Sequence, residues 1–200
     1  MLDEQAFSTY DIGHLEVEPL LFQTGYLTIK DYDESTGLYC LYYPNYEVEN
    51  AFLKSLLYSY SALSPAATGG RLWQLIKALQ AQDLDTFFSV LSVFFAEIPY
   101  DIQIRQEKYF QTIFYLIFKL IGLQIGAEVR ANQGRIDAVI ELEHSVYIFE
   151  FKLHGTAAEA LQQINDRDYA ARYRLEDKEL VMVGVQFDIQ QRKVIDWRIR

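Results

Sequence analysis

Three side chains within Gly134–Lys152, GRIDAVIELEHSVYIFEFK, are of types that do chemistry together: Asp137, Glu150 and Lys152. Two carboxylates are hard oxygen ligands suited to Mg²⁺ or Mn²⁺. A lysine beside them can lower the pKa of a metal-bound water or orient it. The three meet only if the chain folds back on itself. The runs Arg135–Leu142 and Val146–Leu153 are rich in Val, Ile, Phe and Tyr, and the joint Glu143-His144-Ser145 is short and polar. That pattern predicts a β-hairpin. Turning at 143–145 sets Asp137 opposite Glu150 or Phe151, and strand alternation points Glu150 and Lys152 the same way. A Glu and a Lys on an exposed strand face would be ordinary. Val146–Phe151 is too apolar for an outer edge, so Glu150 stands in a central strand, where a carboxylate is costly without a partner. Gly134-Arg135 adds a flexible backbone and a cation near the same place.

Further candidates flank the hairpin. Glu107 lies at the edge of the apolar stripe of a predicted helix, able to complete a metal shell or to stay solvated beside Lys108. Glu128, in the strand before the hairpin, reads either as an acid supporting the ligands or as an ion-pair partner of Arg130 or Arg135. Gln162 and Gln163 follow on the next helix, one or both facing the sheet, where an amide can bind a phosphate or hold a water. Tyr169 and Tyr173 share a helix face and either stack on a base or pack. No GxxxxGK[ST] phosphate loop and no GxSxG elbow occurs in the sequence.

The elements that must position these residues can be read from period and punctuation. Gln103–Ile121 reads as a long helix ended by Gly122, followed by a strand near Leu123–Arg130 and the hairpin. Thr156–Tyr173 reads as a helix capped by Thr156 with Glu159 at the capping-box position. Leu180–Phe187 reads as a strand buried on both faces, and Val194–Ile199 as a last strand. The order is α-β-β-β-α-β, an α/β layer architecture. Upstream, Leu20–Ile29 reads as a helix end or turn at Thr24-Gly25 followed by a strand, which pairs across the turn-like DYDESTG with Leu38–Tyr43 as a small hairpin, and Glu47–Leu63 has helical spacing with Asn45 as a cap. SPAATGG, Ser64–Gly70, reads as a linker. Beyond it Arg71–Gln80 and Leu84–Ile98 read as two helices.

Half of the 200 residues are hydrophobic and 15% aromatic, ample for a packed core. One cysteine, Cys40, excludes an intramolecular disulfide and a cysteine zinc cage, and three scattered histidines show no zinc spacing. The N-terminus lacks the form of a signal peptide, and the apolar run Tyr109–Ile125 is interrupted and short for a membrane span. The expected compartment is the cytoplasm. A net charge of −10 counts against a generic nucleic-acid binder but not against a nuclease, whose site must be locally acidic.

GRIDAVIE…VYIFEFKL…EALQQINDRDYAARY resembles the PD-(D/E)XK nuclease superfamily, in the branch found at the C-terminus of AAA-ATPase-like bacterial proteins. The resemblance implies a restriction-endonuclease-like core, a mixed sheet flanked by helices, over residues 67–200. It implies a lid-like module over residues 1–66, since LLFQTGYLTIKDYD and YYPNYEVENAF resemble the segment that follows the ATPase core of those proteins. That core is not in this sequence, so an ATPase region is an implied partner. Carried across, Glu107 is the helix acid, Asp137 and Glu150 hold Mg²⁺ or Mn²⁺, Lys152 is the catalytic lysine, and Gln163 is the helix glutamine with Tyr169 downstream. Ile136 stands where the motif has proline. Glu128 and Arg135 are left as neighbours of substrate or ligands. The expected activity is metal-dependent hydrolysis of nucleic acid, DNA rather than RNA. The alternative is a catalytically silent nuclease fold serving an ATPase.

Overall fold

Helical and alternating periods order the chain in the computed structural model, which describes residues 2–4, 7, 16–99, 107–125, 128–131, 137–167, 173 and 178–200. Residues 1–53 and 54–200 form two compact units. In the first, helix α1 (Val17–Gln23) precedes the antiparallel pair β1 (Thr28–Asp33) and β2 (Leu38–Tyr42). Cys40 is half-buried in β2. Helix α2 (Tyr46–Ser61) starts in this unit, where Asn45 Oδ1 accepts from the Val48 amide at 2.9 Å as a cap.

The second unit opens with α3 (Pro65–Gln80) and α4 (Leu84–Ala96). Here the linker reading of Ser64–Gly70 is corrected: these residues are the cap and first turns of α3. Ser64 accepts from the Ala67 amide and Pro65 takes the first turn, where its missing N–H costs nothing. Helix α5 (Glu107–Ile125) also runs past the expected stop at Gly122. A mid-helix glycine costs only about 1 kcal/mol, and burial of neighbours such as Leu120 and Ile121 outweighs it.

Five strands follow, β3 (Glu128–Ala131), β4 (Asp137–Glu141), β5 (Ser145–Lys152), β6 (Glu179–Asp188) and β7 (Lys193–Ile199), in that spatial order. All neighbours are antiparallel except β5 and β6, which are parallel. A parallel pair needs a crossover, and helix α6 (Ala157–Asp166) is in it. The capping box is present: Thr156 accepts from the Glu159 amide while Glu159 accepts from the Thr156 amide. The described helix ends at Asp166, short of the expected Tyr173. Asn165 there turns its amide back onto the Leu161 carbonyl at 2.9 Å, a competition that makes Asn a weak helix former.

Strand β5 is central and covered on both faces. Phe149 meets Phe87 at 5.7 Å and Phe118 at 5.2 Å, and Phe151 meets Phe114 at 4.7 Å, so this row faces α4 and α5. The alternate residues Val146 and Ile148 pack with Ile164 and Tyr173 beneath α6. Each large side chain so buried stabilises by about 1.5–3 kcal/mol. Among the described residues no helix is long and apolar enough to cross a membrane. The architecture is the mixed α/β, restriction-endonuclease-like arrangement expected from the sequence.

Candidate active site

The hairpin register sets Asp137 directly opposite Glu150, one of the two alignments the turn allowed. Glu150 continues the row Val146, Ile148 on the α6 face, and only 2% of it is exposed. An isolated carboxylate in such a place is costly. Here its Oε1 accepts from the Gln163 amide nitrogen and lies 3.4 Å from Lys152 Nζ. Lys152 Nζ in turn donates to Gln163 Oε1. Glu150, Gln163 and Lys152 thus close a ring of three side chains, with Lys152 24% exposed at its mouth. Hydrogen bonds to ionised groups are stronger than neutral ones, and the glutamine holds acid and amine at once.

Helix period selects the glutamine. Ala157, Ala160 and Ile164 are buried against the sheet, so Gln163 falls beside that stripe and is half-buried while Gln162 is exposed. Tyr173 packs in the Val146–Ile148–Ile164 cluster, the packing alternative for that residue. Tyr169 and Arg135 lie outside the described residues.

Glu107 opens α5. Phe118 meets Phe149, Phe114 meets Phe151 and Phe110 meets Phe187, so α5 runs antiparallel to β5. The Glu107 end of the helix therefore lies at the Lys152 end of the strand, on the sheet face opposite α6. Glu128 is placed elsewhere. It pairs with Glu141, four residues along β4 from Asp137 and about 13 Å away at 3.3 Å per residue. Two acids directly opposite repel, and Lys178 meets Glu141 at 2.5 Å there.

The donor set fits a hard divalent cation: Glu150 is buried on the same rung as the backbone of Asp137, with carboxylate oxygens that such ions prefer. Among the residues whose side chains are described, no cluster of three metal-ligating groups is assembled. One residue that sequence reading passed over is Gly184, in register with Glu150 on β6. An isolated glycine inside an apolar strand signals a close backbone approach, and α6 makes that approach here.

A relative described as an uncharacterized protein in the vnfD 5' region of Azotobacter chroococcum mcd 1 is 34% identical over 204 residues. The match covers 98% of this chain and 39% of the relative, so the chain spans about two fifths of that protein's length. No solved structure matches. The family model of the PD-(D/E)XK nuclease superfamily matches residues 105–197, a span that takes in the hairpin, Lys152 and α6. The region that builds the Glu150–Gln163–Lys152 ring is a domain of the PD-(D/E)XK nuclease superfamily.

Proposed function

We propose that this protein is a metal-dependent nuclease that hydrolyses phosphodiester bonds, with DNA the preferred substrate. The observation that carries the reading is the ring of Glu150, Gln163 and Lys152 on the rung shared with Asp137. Asp137 and Glu150 would hold Mg²⁺ or Mn²⁺, with the Phe151 carbonyl and Glu107 as further donors. When bound, the cation supplies positive charge at the scissile phosphate. Lys152, partly exposed at the mouth of the ring, donates hydrogen bonds to the attacking water and the phosphate oxygens. Gln163 keeps the amine from closing fully onto Glu150 and fixes its direction, which is worth most when set before substrate arrives.

Charge distribution supports the reading. Ten of the 28 acidic residues and one of the 18 basic residues lie in 1–53, a balance of −9. Residues 54–200 hold the other eighteen acidic and seventeen basic residues, a balance of −1. The acidity that counted against phosphate binding thus belongs to the other unit. In the same reading the N-terminal part, residues 1–66, is a lid-like module that adjoins an ATPase region in longer relatives. The length of the Azotobacter relative leaves room for one.

The test is a panel of single- and double-stranded DNA and RNA incubated with Mg²⁺ or Mn²⁺ and with chelator. Cleavage that needs the metal and disappears in Asp137→Ala is expected. No cleavage of any substrate, together with no heat of Mn²⁺ binding at millimolar concentration, would replace this reading with that of a silent nuclease fold.

A further inference from the structure

Helix α6 lies against β6 more closely than a residue with a side chain allows. A Cβ placed on Gly184 would stand 2.3 Å from the Ala157 carbonyl oxygen, 2.5 Å from the Leu161 amide nitrogen and 2.9 Å from Leu161 Cβ. Two of these three are backbone atoms of α6, which cannot rotate away. The backbone of Gly184 is not in the left-handed region, so the glycine is there for space rather than for conformation. Ala157, whose carbonyl meets it, is fully buried, as is Ala160 on the same helix.

The close approach occurs on one particular rung. Gly184 is the partner of Glu150 across the parallel pair, and Gln186 is the partner of Lys152. Gln163 stands two residues beyond Leu161 on the helix that contacts Gly184, and bonds to Glu150 and Lys152. To bring the Ala157 oxygen from 2.3 Å to ordinary van der Waals contact, the helix must retreat by about 1 Å. A hydrogen bond tolerates a few tenths of an ångström, so such a retreat takes Gln163 off at least one of its two partners.

We propose that Gly184 is a positioning residue of the site, acting through α6 to seat Gln163 on Glu150 and Lys152. Its effect on cleavage rests on the nuclease reading. Its effect on the seating of the Gln163 side-chain amide does not.

The experiment compares Gly184→Ala, Gln163→Ala and the double variant in the full chain. Three quantities are followed: thermal unfolding with circular dichroism, metal-dependent kcat and KM, and the side-chain amide NMR signals of Gln163, assigned by their absence in Gln163→Ala. Gly184→Ala is expected to stay folded and to lower kcat about 10–100-fold, the scale of an ångström misplacement, with KM little changed. Its Gln163 amide signals should move from their wild-type positions to those of a solvated glutamine. The double variant should be no worse than the worse single one, because both remove the same contact. Wild-type kcat and wild-type Gln163 signals in folded Gly184→Ala would overturn the proposal, as would losses that multiply in the double variant. If Gly184→Ala does not fold, Ala157→Val presses at the helix residue whose carbonyl meets Gly184, with the same two outcomes read on Gln163. If the wild-type protein cleaves nothing, the nuclease reading fails and the Gln163 signals alone decide the role of Gly184.

Discussion

Two antiparallel hairpins, β1–β2 and β4–β5, each carry carboxylates near the end of a strand, and the groups have opposite surroundings. In β1–β2 every residue of β1 except Asp33 is exposed. Asp33 accepts from the Ser35 amide at 2.9 Å and from the Ser35 hydroxyl at 2.6 Å, which ties the turn together. In β4–β5 the second strand is buried from Ser145 to Phe151, and Glu150 is held by Gln163 and Lys152. The first acid is half-buried and still reached by water, so local donors merely adjust it. The second has lost water, so its partners determine whether it can exist as an anion at all. A carboxylate on a strand points to chemistry where its burial is expensive and its partners are themselves reactive.

The largest predicted effect separates the hairpins by activity. Asp137→Ala and Lys152→Ala should each lower metal-dependent cleavage by about 10²–10³-fold or more, whereas Asp33→Ala should leave kcat unchanged. Equal losses at Asp33 and Asp137 would erase the distinction. Stability should separate them next. Gln163→Leu strips the amide from a buried carboxylate and is expected to destabilise by about 1–3 kcal/mol in denaturant titration. Glu150→Leu removes the buried charge itself and should cost less than Gln163→Leu, or stabilise, while abolishing cleavage. If Glu150→Leu were the more damaging of the two, the ring would be structural rather than a strained functional site.

Much of this was legible in the sequence because it rests on periods of two and 3.6. Alternation in VYIFEFK put Glu150 and Lys152 on one face, and the apolar content of the strand announced its burial. The polar joint at 143–145 narrowed the register to two alignments, and the one with Asp137 opposite Glu150 is observed. Gln162 and Gln163 were both open by period alone; the resemblance implied Gln163, and the buried stripe of Ala157, Ala160 and Ile164 selects it. What was not legible depends on distances between elements. Ser64–Gly70 has the composition of a linker, but Ser-Pro is also the start of a helix, and only the packing of Leu72, Leu75 and Leu79 decides between them. Glu128 was open as an acid supporting the ligands or as an ion-pair partner of Arg130 or Arg135, and only the β3–β4 register set its backbone opposite Glu141. Gly184 is one letter in LVMVGVQF, and its importance lies in a helix that passes over it.

The buried hairpin also has a tyrosine that the exposed one cannot match. Tyr147 is fully buried beside Phe149 and donates to the Leu79 carbonyl at 3.2 Å. Burial pushes its hydroxyl above the usual tyrosine range, helped by the negative charge of Glu179 and opposed by a hydrogen bond with Ser145. A folded pKa above the unfolded one near 10 means the folded state keeps its proton longer. The stabilisation is complete below pH 10 and is lost as pH rises through the folded value. Tyr147→Phe should cost about 1 kcal/mol at neutral pH and flatten the alkaline fall in melting temperature. An unchanged alkaline limb in that variant would show that other groups produce it.

The smallest effect belongs to Asp33 and has the opposite sign in pH. Hydrogen bonds from the Ser35 side chain, then from Thr36 and the Ser35 amide, hold its carboxyl below the ordinary value of 3.8. The anion is the form the turn prefers, so its contribution is present above the unfolded pKa and is lost as pH falls through the depressed folded value. Amide exchange at Ser35 and Gly37 reads the turn directly, because those amides donate to the Asp33 side chain and backbone carbonyl respectively. Protection at Ser35, taken against the intrinsic exchange rate at each pH, should fall in the wild-type protein as pH drops below the ordinary carboxyl value of 3.8. In Asp33→Asn, whose neutral amide keeps an acceptor but has no proton to gain, that acid-dependent step should vanish.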